Sequence, residues 1–182
     1  AALVTPPAIR RMLVFLTVAV WVQIALGGWV STNYAVLACR GFPDCNGQWW
    51  PPMAFGEGFT LLRELGFAGH GALLSFEALV AIHMVHRLFA YFLIVLLLAT
   101  AWMMWRTRDA PLHLPALLLA ALAIWQLASG LSNVVLGWPI VAALAHTAGA
   151  AALVALTTSL VLRSRRLAGD AVAWNPQPRS AT

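Results

Sequence analysis

Four stretches of this chain, 12–31, 78–105, 115–138 and 140–162, stay apolar over lengths that only a membrane accommodates. Crossing a hydrocarbon core of ~30 Å takes ~20 residues of helix. Inside lipid every backbone N–H and C=O must also find its partner within the protein, and a helix satisfies them all internally. The expectation is therefore an all-α membrane protein built as a four-transmembrane-helix bundle. Composition agrees, since the 182 residues are 62% hydrophobic and only 9% charged, outside the range of soluble domains. Arg10 and Arg11 precede the first stretch as they would a signal peptide. That stretch is too long for one and lacks a convincing small-residue cleavage site, so it reads as a span.

All eleven basic residues are arginine. With four spans, Arg10, Arg11, Arg106, Arg108, Arg163, Arg165, Arg166 and Arg179 fall on one side, which the positive-inside rule makes the cytoplasm. The expected location is the bacterial inner (plasma) membrane, multi-pass, with both termini of this chain cytoplasmic and the loop 32–77 outside. A pI of 10.6 then reflects orientation and contact with anionic membrane lipid, and implies no nucleic-acid partner. The bundle is expected over 1–166 and a disordered cytoplasmic tail over 167–182. No methionine opens the sequence, so the chain is expected to begin partway through a longer polypeptide.

The outer loop holds both cysteines, Cys39 and Cys45, in an oxidising compartment where a disulfide is favoured. The residues between them include Gly41 and Pro43, and a loop of that size can close a disulfide. The pair is either a structural staple or a redox-active couple. Nothing nearby is placed to lower a thiol pKa, which favours the staple. Trp49 and Trp50 suit the headgroup layer, and FTLLREL at 59–65 has the spacing of a short amphipathic helix. Little more than Trp138-Pro139 joins the third and fourth spans, so these must form an antiparallel hairpin.

Ionisable side chains inside a span are costly and need a partner or a polar pathway. The second span carries His83, His86 and Arg87 in AIHMVHRLFA, and the fourth carries His146. At ~1.5 Å of rise per residue, His86 lies ~13 Å below Glu77 and His146 ~10 Å below Pro139, so the two sit at similar depth. Two neutral imidazoles at matched depth on different helices are what a bis-histidine heme requires. His83, one turn outward of His86 on the same face, becomes the candidate catalytic or substrate-side group. Arg87 could pair with a heme propionate, a helix-end carbonyl or a neighbouring side chain. Gly27, Gly28, Ala128, Gly130, Ala148 and Gly149 would let backbones approach a flat macrocycle, although such residues also serve plain helix packing. Gln23, Gln126 and Asn133 are polar in spans, with interhelical hydrogen bonding as their default role and contact with a cofactor edge as the alternative. His70 and His113 fall in loops as ordinary surface residues. A short echo, QIALG at 23–27 and QLASG at 126–130, hints at two helix pairs related by pseudo-symmetry.

Taken together, QIALGGWVS in the first span, ACRGFPDCNGQWWPP in the outer loop, IHMVHR in the second span and LGWPIVAALAHTAGAAAL in the fourth resemble the heme A synthase family. Members of that family have eight spans in two similar four-helix halves, and this chain is similar to the second. The resemblance implies an oxidoreductase of heme A biosynthesis that oxidises a methyl group of the substrate heme O to the formyl group of heme A. It further implies that this half holds heme b as a resident cofactor, with His86 and His146 as axial ligands of the iron and Cys39 and Cys45 as the outer-loop pair. At the position matching His83 the first half typically carries a glutamate, which is absent here. A second four-helix half, or a second copy of the chain, is the implied partner; the electron acceptor is not indicated. Two other functions use the same features: a b-type membrane electron-transfer cytochrome, and a quinone-linked disulfide oxidase built on the cysteine pair.

Overall fold

The computed structural model describes residue 3, residues 5–68 and residues 71–173, with side chains as far as Ser164. Among the described residues five α-helices form: α1 (Pro7–Thr32), α2 (Phe55–Gly58), α3 (Phe76–Trp105), α4 (His113–Val135) and α5 (Ile140–Ala173). Among the described residues α1, α3, the segment Ala110–Val135 containing α4, and α5 as far as Ser164 are long and apolar enough to cross a membrane. The chain is thus the four-helix membrane bundle that its apolar stretches predict.

Each helix end has a local cause. Pro6 and Pro7 open α1, where a missing N–H costs nothing. Ser75 caps α3 by accepting from the Ala78 N–H, and the Glu57 carboxylate in turn accepts from the Ser75 N–H at 2.8 Å and hydroxyl at 2.7 Å. The third span ends at Val135, short of the expected 138. Gly137 takes φ +70°, and the Trp138 N–H returns to the Asn133 carbonyl at 2.8 Å, the six-to-one bond of a Schellman turn. Pro139 follows, and α5 starts at Ile140.

Two other expectations change. FTLLREL is not helical; the short helix forms on Phe55–Gly58 just before it. Arg63 donates to the carbonyls of Gly58, Glu64 and Phe67, so the local oxygens are engaged by a side chain. Leu61 and Leu62, 74% and 97% exposed, find no core, and so short a helix is marginal without one. At the other end of the chain α5 runs past Arg166 to Ala173, so the start of the expected tail is helical. Residues 174–182, Arg179 among them, lie outside the described residues, as do His70 and the side chains of Arg165 and Arg166.

The principal helix contacts run α1–α3, α3–α4, α4–α5 and α5–α1. This closed ring puts α3 and α5 at opposite corners. Leu13 and Leu16 of α1, Leu97 and Met104 of α3, Leu119 of α4 and Leu160 of α5 are fully buried together. They lie toward the start of α1 and the end of α3, so close packing fixes the helices in that half. The hairpin of α4 and α5 closes tightly: the Trp125 indole donates to the Ala145 carbonyl at 2.9 Å and lies against Gly149, where a Cβ would stand 2.6 Å from the ring.

Candidate functional site

The other half of the bundle is open. It contains a cavity of about 460 Å³ lined by residues of α1, α3, α4 and α5, a size typical of small-molecule and cofactor sites. Most of the lining is apolar, and a few polar groups converge on it: Gln23, His83, His86, Arg87, Gln126, Asn133 and His146. The histidines that the sequence singles out in two different spans therefore face one space, from helices at opposite corners.

His86 is gripped from α1. The Gln23 amide nitrogen donates to the His86 carbonyl at 3.2 Å and lies 3.1 Å from Nδ1 and 3.3 Å from Nε2 of its ring. One turn further along α1, Gly27 gives the ring its room, since a Cβ there would stand 3.1 Å from His86 Cε1.

His146 is gripped the same way from α4. With its amide nitrogen turned to the ring, Gln126 donates to the His146 carbonyl at 3.2 Å, lies 2.8 Å from Nδ1 and accepts from the Ala150 N–H. A Cβ at Gly130 would stand 3.1 Å from His146 Cε1. The echo between 23–27 and 126–130 thus has a geometric content: glutamine and glycine four residues apart, each pair holding the histidine of the next spanning helix. One difference breaks the symmetry. The Ser129 hydroxyl lies 3.0 Å from His146 Nδ1, and the corresponding position on α1 is Leu26.

His83 is buried, with Nδ1 at 2.9 Å from the Ala35 carbonyl. A carbonyl can only accept, so Nδ1 carries the proton and Nε2 keeps the lone pair. Arg87 is 7% exposed and donates to three carbonyls of the outer loop, Asp44 at 2.7 Å and Cys39 and Gly41 at 3.2 Å each. The sequence points Arg87 to a heme propionate, a helix-end carbonyl or a neighbouring side chain, and these loop carbonyls are none of those. The guanidinium thereby anchors the loop to α3 at the cavity wall.

That loop is closed by a disulfide between Cys39 and Cys45, with Cα atoms 4.9 Å apart. Both residues are 1% exposed, and Cys39 Sγ sits 3.6 Å from the Met84 sulfur. Asn46 completes the closure, donating to the Ala38 carbonyl at 2.8 Å and accepting from the Arg40 N–H at 3.0 Å. His113, expected on the surface, begins α4 with Nε2 3.1 Å from the Thr107 carbonyl and its ring 4.7 Å from that of Trp105. Gln23 and Gln126 make the interhelical hydrogen bonds expected of polar residues in spans; that their partners are the two histidines is what the sequence does not state, although the echo between their segments hints at a shared role.

Residues 1–158 match the family model COX15-CtaA, cytochrome oxidase assembly protein. Among curated proteins, the chain is 37% identical over 131 residues to the heme A synthase of Shewanella oneidensis, covering 72% of this chain and 39% of that one. It is 32% identical over 153 residues to the heme A synthase of Methylorubrum populi, covering 84% and 38% respectively. With the heme A synthase of Maricaulis maris the identity is 31% over 166 residues, covering 88% and 46%. The alignments thus take up less than half the length of these relatives. No solved structure matches the chain.

Proposed function

We propose, starting from the fact that this chain belongs to the COX15-CtaA family of cytochrome oxidase assembly proteins, that it is the heme b-holding four-helix half of a heme A synthase. In this reading His86 and His146 are the axial ligands of the heme iron, and the cavity between α3 and α5 takes the macrocycle. The observation that carries it is the entry of these two imidazoles into one largely apolar cavity from opposite corners of the bundle.

The donor set fits such a group. Among the described residues no three His, Cys, Asp or Glu side chains cluster as a protein-only metal cage needs. Two imidazoles alone leave the remaining positions of a metal unfilled, and a porphyrin would bring those ligands with it. The glycines at 27 and 130 leave space where side chains would crowd the imidazoles. A bound heme of this kind supplies a one-electron redox centre. The residues of the chain do the rest: Gln23 and Gln126 hold the rings, α1 and α4 wall the cavity, and Arg87 fixes the disulfide loop at its edge.

The substrate reaction, oxidation of the heme O methyl to the formyl group of heme A, is assigned to the complete protein with a second four-helix half or a second copy of this chain. His83 is the candidate catalytic group facing the cavity. The assigned site is the inner membrane, with the cysteine loop outside. A disulfide oxidase is disfavoured by geometry, because exchange with a substrate thiol needs access and both cysteines are 1% exposed. An electron-transfer cytochrome would use the same two histidines. The discriminating experiment expresses the chain with the complementary half and supplies heme O. Appearance of heme A, and its loss in His86→Ala, supports the synthase; heme b binding without heme A formation leaves the electron-transfer role.

A further inference from the structure

The two histidines are not held alike, and the difference lies in where each Nδ1 proton can go. A neutral imidazole that gives Nε2 to a metal carries its proton on Nδ1, and that proton needs an acceptor in an apolar cavity. At His146 one is present. Ser129 has a single O–H, which donates to the Trp125 carbonyl at 2.7 Å, so the lone pair of Ser129 Oγ faces His146 Nδ1 at 3.0 Å.

At His86 there is no hydroxyl, since Leu26 takes the equivalent place. The polar group at its ring is the Gln23 amide, whose nitrogen faces the histidine and whose oxygen is buried without a hydrogen-bond partner. A half-turn of that amide brings the free oxygen to Nδ1. Gln126 can turn the same way only by giving up the Ala150 N–H that its oxygen accepts from.

Resting on the heme reading above, we infer that Gln23 and Gln126 are positioning residues for the two imidazoles, and that Gln23 alone supplies the acceptor for its ring. Gln126 shares that work with Ser129. The consequence is an ordering. Gln23→Met, which keeps length and removes the acceptor, disturbs the heme more than Gln126→Met. Adding Ser129→Ala to Gln126→Met then removes the difference.

The test uses the full chain in detergent. For each variant it records heme loss to excess apomyoglobin, the g-values of the low-spin ferric spectrum and the heme midpoint potential. Gln23→Met is expected to lose heme about 10- to 100-fold faster than wild type, in line with removal of a partner behind a metal-ligating histidine, with shifted g-values and potential. Gln126→Met is expected to move less, and Gln126→Met with Ser129→Ala as much as Gln23→Met. Gln23→Glu, which keeps the reach and an acceptor oxygen, is expected to restore slow heme loss. This distinguishes positioning from a packing defect. Unchanged g-values, potential and loss rate in Gln23→Met, an effect of Gln126→Met equal to or larger than that of Gln23→Met, or a Gln23→Glu variant as defective as Gln23→Met would each overturn the inference while leaving heme binding intact. A wild-type protein without b-type absorption would instead overturn the heme reading itself, and the inference with it.

Discussion

Arg87 Nη1 stands 2.7 Å from the carbonyl oxygen of Asp44, joining the helix that carries His83 and His86 to the disulfide loop outside the bundle. Arg87→Leu removes this bond and those to Cys39 and Gly41, leaving loop carbonyls without their charged donor. Hydrogen bonds to charged groups contribute ~1.5–3 kcal/mol each, so loss of all three is expected to lower stability by about 5 kcal/mol or more. Protease cleavage within 38–48 is expected to accelerate in the intact detergent-solubilised protein. A loop as resistant as wild type in Arg87→Leu would show that these bonds do not hold it.

The glycines facing the histidines give a contrast within one helix. A Cβ at Gly27 would stand 3.1 Å from His86 Cε1, whereas one at Gly28 meets nothing within 4 Å. Gly27→Ala and Gly130→Ala are therefore expected to rotate their imidazoles and reduce bound heme, at an overpacking cost of ~1–3 kcal/mol. Gly28→Ala is expected to retain heme as wild type does. Heme-to-protein ratios of the three purified variants check this, and equal ratios would contradict it.

Gly149 tests the hairpin beside the His146 clasp, since its Cβ position also lies 3.3 Å from the Gln126 amide carbon. Its Cβ position lies 2.6 Å from the Trp125 indole, so Gly149→Ala must displace the ring that bonds to Ala145. The expected result is a loss of ~1–3 kcal/mol in thermal unfolding. Combining it with Trp125→Leu should cancel most of that loss, and additive losses would argue against a contact.

The cysteine pair is expected to act on the loop alone. Removing a native disulfide costs ~2–5 kcal/mol in small domains, so Cys39→Ala with Cys45→Ala should loosen the loop to proteolysis. The cavity lining includes neither cysteine, and the reduced heme spectrum should stay b-type. Loss of that spectrum in the double variant would assign the pair a role in heme binding.

The spans were legible because lipid demands long apolar helices, and the two histidines that line the cavity from α3 and α5 stood out because ionisable groups are rare in such helices. That they turn inward was expected, because an ionisable group is costly against lipid; which side chains of α1 and α4 meet them was not. Helix ends depended on turn chemistry: the left-handed Gly137 shortened the third span, and the exposed Leu61 and Leu62 found no core to hold a helix at 59–65. The partners of Arg87 could not be read from sequence, because they depend on the path of a loop some forty residues earlier in the chain. The Gln23 and Gln126 clasps lay between these cases, visible as a repeat whose meaning needed the neighbouring helix.

The most direct measurement is the reduced-minus-oxidised visible spectrum of the purified chain, with heme stoichiometry, for wild type, His86→Ala and His146→Ala. Heme clasped between α3 and α5 predicts b-type bands at one heme per chain in wild type, and loss of the low-spin spectrum in each variant, because either change removes an axial imidazole. A wild type without such bands, or both variants keeping the wild-type spectrum, would contradict it.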